Sequence, residues 1–590
     1  MKQNKYGTWA VGAFMLLLSA AACTDSYEST PVDMFTEDYL FSRTDSNGTV
    51  VRKSLNRIYY YMRNGHNGVN GDYLDAASDD ALSVISSESD VYKLAIGRYS
   101  ASNLINSDMI WSDPYLVIRR VNILLSGIDV VPFNTTYTDA LGNTRRLNES
   151  MKAEARFLRA YFYFELVKRY GGVPIIGDKV YELNENIELP RSTFEQCIKY
   201  IVSELDDIKD DLRSLPLPDA AASAHVVNTQ AAQALKIRVL LYAASPLFNE
   251  KPIESGNELI GYASYDRERW KIAADAARNF INTYGTGDGA IMGLDDNFKN
   301  VFTNWYSNEH KEVIFFRENA MDKTVETANG PLGLSGAKQG NGRTNPTQNL
   351  VDAFLMKDGH FIKEGKYEYN EQLPYAQRDP RLEYTIIHNG SSWVNSTMET
   401  WQGGANNPLG SSYSLTSYYM RKFMGDFEAA NEYQDTQHNW VMFRYAEILL
   451  NFAEAENEYL PTPSQAVYDA IIALRRRAGI EPGEKNLYGL TTDGLTHNLT
   501  QAEMRKVIQN ERRIELAFEE HRYWDIRRWR LAEQVYAQPI QGMYITKSQT
   551  STTYVPQAVL NVQWDNKRYF YPIPYSEVIK NKNMVQNPNW

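Results

Sequence analysis

Cysteine is almost absent from this chain. Only Cys23 and Cys197 occur in 590 residues, so a framework of disulfides is excluded and packing must hold the fold. Eight histidines supply no zinc-ligand spacing and no HExxH is present, so neither a metal nor a cofactor is expected. A P-loop, a GxSxG elbow and the dinucleotide fingerprint are also missing. The string GTGDGAIMGLDDN (285–297) has glycines and acids in neither the fingerprint nor the EF-hand order, and reads as a loop. Beyond residue 22 no segment approaches eighteen uninterrupted apolar residues, which excludes a membrane-spanning helix in the mature chain. Positive charge is in deficit, with 61 Lys and Arg against 73 Asp and Glu and a net charge of -12. That balance disfavours phosphate backbones, so nucleic acid is not an expected partner.

The first 22 residues are what an export signal requires: Lys2 and Lys5, then the apolar stretch WAVGAFMLLLSAAA, too short to span a bilayer comfortably. Ala20, Ala21 and Ala22 directly before Cys23 resemble a bacterial lipoprotein cleavage box, although the usual Leu three before the cysteine is absent and Leu18 sits earlier. Cys23 is therefore the expected lipidation site, which leaves Cys197 without a disulfide partner. Residues 23–40 are polar and acidic and read as a lipidated tether. Removing Lys2 and Lys5 takes the net charge from -12 to -14. The whole chain is 43% hydrophobic, enough for residues 41–590, read as one domain, to bury a large core.

Helical periodicity dominates. Ala155, Leu158, Phe162 and Leu166 form one stripe of a helix that Gly171 and Gly172 end and Pro174 keeps from resuming. Capping boxes are expected at Ser192 with Glu195 and at Thr500 with Glu503. The small residues Ala231, Ala232, Ala234, Ala243 and Ala244 let neighbouring helices approach, and Pro246 stops their helix. WVMFRYAEILLNFAEAEN and PSQAVYDAIIALRRRAGI read as a further helix pair joined through Leu460 and Pro461 and stopped at Gly479. The predicted class is mainly α, with tetratricopeptide-like helix pairs, long irregular loops and minor β-hairpins. One hairpin is expected where TYVPQAVLNVQW and KRYFYPIP flank Asp565-Asn566.

The densest chemistry lies in NERRIELAFEEHRYWDIRRW (510–529). Read as a helix, it puts Ile514, Ala517 and Phe518 on one apolar face and pairs Glu519 with Arg522 and Asp525 with Arg528. His521 could exchange protons beside Glu519 and Glu520, but no nucleophile motif accompanies it, so a structural role is preferred. A glycosidase needs two carboxylates flanking a sugar bond, and with 73 acids their mere availability carries no weight.

This stretch resembles the C-terminal signature of the SusD/RagB family of outer-membrane nutrient-binding lipoproteins. IWSDPYLVIRRVNILL, AEARFLRAYFYFELVKRYGGVPII, NTQAAQALKIRVLLYAASPLF, NPTQNLVDAFLMKDG, RDPRLEYTII, FRYAEILLNFAEAEN, IIALRRRAG and the closing YPIPYSEVIKNKNMVQNPNW extend the likeness across the mature chain. The resemblance implies a scaffold of four tetratricopeptide-like helix pairs under a loop-built face. It also implies non-catalytic capture of oligosaccharides at the cell surface and delivery to a SusC-like, TonB-dependent transporter. Peptide capture is the alternative within the family, and glycoside hydrolysis a distant one. The family's ligand contacts vary with substrate, so candidates follow from residue type and placement. They are Tyr73, Tyr92, Arg98, Tyr99 and Asn103 in the polar stretch before Ile110, and Trp305, Tyr306, Trp393 and Trp401 in polar loops inserted at about 284–430. Sugar C–H faces pack on aromatic rings while hydroxyls bond amides, carboxylates and guanidinium groups.

Overall fold

The computed structural model describes residues 37–85, 88–182, 185–216, 225–303, 305, 311–408 and 414–590. Cys23, the tether before residue 37 and Tyr306 lie outside the described residues.

The principal helices run α1 Thr49–Tyr60, α2 Ser112–Gly127, α3 Leu147–Tyr170, α4 Phe194–Ile208, α5 Thr229–Ala244, α6 Glu268–Tyr284, α7 Tyr445–Tyr459, α8 Gln465–Ala478, α9 Gln501–Glu515 and α10 Arg522–Arg528. From α2 to α7 each packs on the next, and α7 also carries α8 and α9. The scaffold is thus a row of helices, each sandwiched by neighbours. That is why α3 buries Tyr161, Tyr163 and Phe164 as well as its predicted stripe, and why α5 is buried nearly all round, alanines included. Among the described residues no helix is long and apolar enough to cross a membrane.

Helix ends follow local chemistry. Gly171 closes α3 with φ 76° and Gly479 closes α8 with φ 82°, a left-handed conformation that glycine adopts without a Cβ clash. The box at Thr500 and Glu503 is present, but the other forms one residue later than expected, between Thr193 and Gln196. WVMFR is a strand and not the start of α7.

Strands are short and pair in twos. β1 Ala81–Ser83 pairs with β3 Thr344–Pro346, β2 Val313–Arg317 with β4 Trp440–Arg444, and β5 Ile540–Lys547 with β6 Thr552–Leu560, all antiparallel. The C-terminal hairpin therefore differs from the one expected. TYVPQAVL is its second strand, its partner is IQGMYITK, and Asp565 instead caps a short 3-10 turn, Asn566–Tyr569. Tertiary contacts claim the downstream segment. Arg568 is buried and donates to the carbonyls of Leu94 and Ala95, and the Tyr571 N–H bonds the Arg169 carbonyl.

The signature stretch is not one helix. α9 ends at Glu515, α10 starts at Arg522, and Phe518 and Glu520 between them have φ 62° and 61°. Such conformations cost about 1–2 kcal/mol each for a side-chain-bearing residue. The bend delivers carboxylates to buried cations. Glu515 accepts from Arg444 Nη1 at 2.7 Å and Arg381 Nη1 at 2.9 Å, and also from Arg477. Glu519 accepts from Arg444 Nε and Nη2, both at 2.7 Å, and from Lys422. Glu519 thus does not pair with Arg522, which with Arg513 holds Asp79 instead. The pair Asp525–Arg528 forms as expected, at 2.8 Å.

Candidate ligand-binding face

The concentration of planar polar side chains with an open aromatic ring lies around NGHNGVNGD (64–72), between the end of α1 and β1. Asparagine and glycine tolerate the left-handed region, and the loop uses it at Asn67, Asn70 and Gly71. Buried groups beneath hold it. His66 Nδ1 lies 2.7 Å from the Tyr73 hydroxyl and Nε2 lies 3.3 Å from the Asn439 carbonyl. A carbonyl only accepts, so Nε2 carries the proton and Nδ1 accepts from Tyr73. Burial, helped by the neighbouring His438, pushes the His66 pKa down to about 3.

Above that support runs a chain of side-chain hydrogen bonds. Arg317 at the end of β2 donates to Asn319 Oδ1 at 2.7 Å, and Asn319 Nδ2 donates to Asn64 Oδ1 at 3.3 Å. Asn439 Oδ1 accepts from the Asn319 backbone and from Gln437 Nε2. Asn329 reaches Asn67, and Arg343 Nη2 donates to the Asn70 carbonyl at 2.6 Å and to Asp72. Tyr60, 73% exposed, presents its ring at the rim with the Arg317 guanidinium 5.5 Å from its centroid. The result is a shallow face of amides and guanidinium groups fixed by their neighbours, beside one aromatic plate.

The sequence candidates do not converge on this face as ligand contacts. Tyr73 is fully buried and acts from below, stacked on Phe423 at 5.9 Å. Trp305 is half-buried against Phe316, 5.3 Å between rings, with Nε1 donating to the Phe302 carbonyl. Phe316 and Arg317 are consecutive in β2 and so face opposite ways, which puts Trp305 behind the strand that carries the patch. Trp393 has no exposed surface. Its ring sits beside Phe427 and its Nε1 donates to the Tyr433 hydroxyl at 2.9 Å, so the expectation of an open platform there is corrected to a core role. Trp401 is half-buried on the other side of the loop region, where Lys547 of β5 lies 5.3 Å from its ring.

Of Tyr92, Arg98, Tyr99 and Asn103, Tyr99 lies against the C-terminus. Tyr99 is buried and stacks on Trp590 at 5.3 Å, so its ring is a packing surface. Tyr92 is half-buried, Asn103 is exposed, and Arg98 pairs with Glu88 at 2.9 Å. Glu88 lies on the loop that leaves β1 beside Arg343, whose carbonyl accepts from Val84.

Two family models match the chain. One, described as "SusD family", matches residues 311–590, and one described as "Starch-binding associating with outer membrane" matches residues 39–241. The chain belongs to the SusD/RagB family. Two SusD-like proteins of Formosa agariphila, P2 and P25, are 24% and 23% identical to it. The first covers 81% of this chain and 79% of the relative, the second 87% and 88%. A SusD-like protein from Bacteroides fragilis superposes with TM-score 0.71 at 24% identity, covering 92% of this chain and 98% of that one. A laminarin binding SusD-like protein gives 0.62 at 19%, covering 92% and 100%. These structures share the SusD-like fold, mainly helical with small strands. At the level of the family, SusD-like proteins bind carbohydrate and associate with the outer membrane.

In this SusD-like chain the residues of the candidate face not named from sequence are Tyr60, Asn64, Asn319, Gln437 and Arg343. The signal for them was the density of asparagine and glycine in NGHNGVNGD, which tryptophan in the longer loops outweighed.

Proposed function

We propose that the protein captures oligosaccharides at the cell surface and delivers them to a SusC-like, TonB-dependent outer-membrane transporter, acting without turnover. The observation that carries this reading is the hydrogen-bonded patch of Arg317, Asn319, Asn64, Asn67 and Arg343 beside the exposed ring of Tyr60. Amide and guanidinium groups held in place by one another can exchange hydrogen bonds with sugar hydroxyls at little ordering cost, and Tyr60 offers a plate for a pyranose C–H face. An open face of this kind binds through several modest contacts and so permits release. Lipidation at Cys23 would keep the protein at the membrane, with the transporter as the opposing wall.

Affinity electrophoresis of the soluble mature domain against a polysaccharide panel, alongside calorimetry with peptide mixtures, tests the reading. Retardation by at least one glycan, with no product formed, is expected. Tyr60→Ala with Asn319→Ala should weaken it 30- to 100-fold, from about 1 kcal/mol for the lost ring contact and about 1 for each lost hydrogen bond. Tyr60 is exposed, so Tyr60→Ala alone should hardly move the melting temperature and is the control for folding, whereas Asn319→Ala also removes hydrogen bonds to Arg317, Asn64 and the His438 carbonyl. Peptide binding without glycan binding, or undiminished retardation in the double variant, would overturn the proposal.

A further inference from the structure

A cavity of about 420 Å³ lies between the short helix Gln348–Ala353, the loop 361–371 and the β5–β6 hairpin. It shares no residue with the patch, though the chain connects them: β3 leaves the patch just after Arg343 and runs directly into the short helix. Tyr369 and Phe361 supply its aromatic wall, and Met543 and Pro556 from the hairpin supply an aliphatic one. The size suits a small ligand, and the mixture of apolar wall with a few fixed polar groups is what such sites require.

The polar groups are aligned by a relay. The Tyr375 hydroxyl donates to the Tyr418 hydroxyl at 3.2 Å, Tyr418 donates to Gln348 Oε1 at 2.6 Å, and Gln348 Nε2 donates to Asp352 Oδ1 at 2.7 Å. Tyr418 and Gln348 are buried. Gln348 thus cannot rotate without breaking two bonds, and it fixes the Asp352 carboxylate. Asp352 is exposed at the mouth of the cavity, and its partial removal from water raises its pKa with the Gln348 bond opposing. The remaining oxygen, Oδ2, is an oriented acceptor. Behind the lining, Arg378 donates to the carbonyls of Pro374, Val351 and Phe354, so it is anchored on the helix that carries Asp352, and it lies 5.7 Å from the Tyr369 ring, so the aromatic wall rests on a fixed cation.

The rim is also set. Lys363 has φ 68°, left-handed in a residue that gains nothing from it locally, and its ammonium meets Glu371 at 3.0 Å. Strain of this sort collects at ligand sites. Among the lining residues Lys363 offsets Glu371 and leaves the Asp352 charge, which Arg378, Arg513 and Lys363 attract from nearby. One carboxylate is too few for a bare metal ion, which seeks several oxygen ligands. A single oriented acceptor facing aromatic rings fits a polyhydroxylated ring.

We propose that this cavity is a second carbohydrate subsite. It takes one pyranose residue, with a sugar hydroxyl donating to Asp352 Oδ2 and the ring's C–H face against Tyr369 and Phe361. The inference rests on the glycan-capture reading but concerns different residues. Saturation-transfer NMR of the mature domain with D-glucose, D-galactose, D-mannose, D-xylose and N-acetyl-D-glucosamine tests it. At least one sugar should receive saturation. The signal should persist in the Tyr60→Ala, Asn319→Ala variant, where the patch is impaired, and should fall at least tenfold when Asp352→Asn or Tyr369→Ala is added to that variant. Asp352→Asn preserves shape and the bond from Gln348 can re-form to its amide oxygen, so its loss reads recognition and not folding. No signal from any of the five sugars, or a signal that survives both pocket substitutions, overturns the subsite. If polysaccharide still retards the wild type in that event, glycan capture stands and only the subsite falls. If retardation is absent as well, both fall.

Discussion

Glu515→Gln tests whether the signature segment holds the scaffold together. Burial works to raise the Glu515 pKa, yet Arg477, Arg444 and Arg381 outweigh it and hold the carboxyl well below the usual range. All four side chains are at most 3% exposed. Glutamine keeps the shape and one acceptor but removes the charge that three buried guanidinium groups share. Breaking a buried ion pair costs about 3–5 kcal/mol, because the remaining charge stays desolvated and uncompensated. With an unfolding entropy of about 2.1 cal/mol/K per residue, a body of this length has roughly 1.2 kcal/mol/K at its midpoint. The expected fall in melting temperature is then about 3–4 °C, small in degrees because the protein is large, and clearer as a shift in urea midpoint. Glu195→Gln is the matched control, since its pair with Lys199 is exposed on α4, where such pairs contribute about 0.3–0.5 kcal/mol. A Glu515→Gln effect no larger than that of Glu195→Gln would refute the argument that these charges organise the core.

Three further outcomes are expected. His66 is neutral in the fold, with its pKa pushed from 6.5 to about 3 by burial. As pH falls the unfolded chain takes up that proton first, so its contribution is whole above pH 6.5 and is lost on the way down to about 3. At about 1.4 kcal/mol per pH unit, the unfolding free energy of wild type relative to His66→Gln should shrink by roughly 3 kcal/mol between pH 7 and pH 4, and a constant difference would contradict it. In Gly71→Ala the new Cβ would lie 2.5 Å from the Arg343 guanidinium at a φ of 97°, so glycan affinity should drop together with about 1–2 kcal/mol of stability. Wild-type affinity in a calorimetric titration would argue against Arg343 in the patch. Cys23→Ala should leave the protein unlipidated and in the soluble fraction after cell fractionation, and unchanged membrane partition would remove the anchor.

Where local chemistry decides, sequence was enough. The α3 stripe, the stops at Gly171 and Gly479 and the Thr500–Glu503 box are all interactions within a few residues, and they stand. What failed depends on contacts between distant segments. Trp393 sits in a polar stretch, but the loop 425–433 folds over it, and the backbone N–H of Val394 donates to the Phe427 carbonyl. KRYFYPIP looks like a strand, yet Arg568 and Tyr571 find partners near residues 94 and 169. The break after Glu515 has no glycine or proline to announce it, because buried cations from Arg381, Lys422, Arg444 and Arg477 dictate it. For the ligand face, NGHNGVNGD marks a turn-rich loop, while Arg317, Asn319 and Arg343 join it only through β2 and β3. Neither side of the proposed face was named from sequence: the loop was passed over for the tryptophans, and its partners lie far away in the chain.

The clamp of Arg513 and Arg522 on Asp79 and Asp80 spans more than 430 positions of sequence. Tyr571 likewise closes on Asp108 across 463. Until the last eighty residues arrive, the segment carrying Asp75, Asp79 and Asp80 has carboxylates and no cations to bury them against. Contacts of such span are late and slow to form. The N-terminal core is therefore expected to close only once the C-terminal arginines are present. A truncation of only the final helices should then loosen the distant segment around Asp79 and Asp80 along with them.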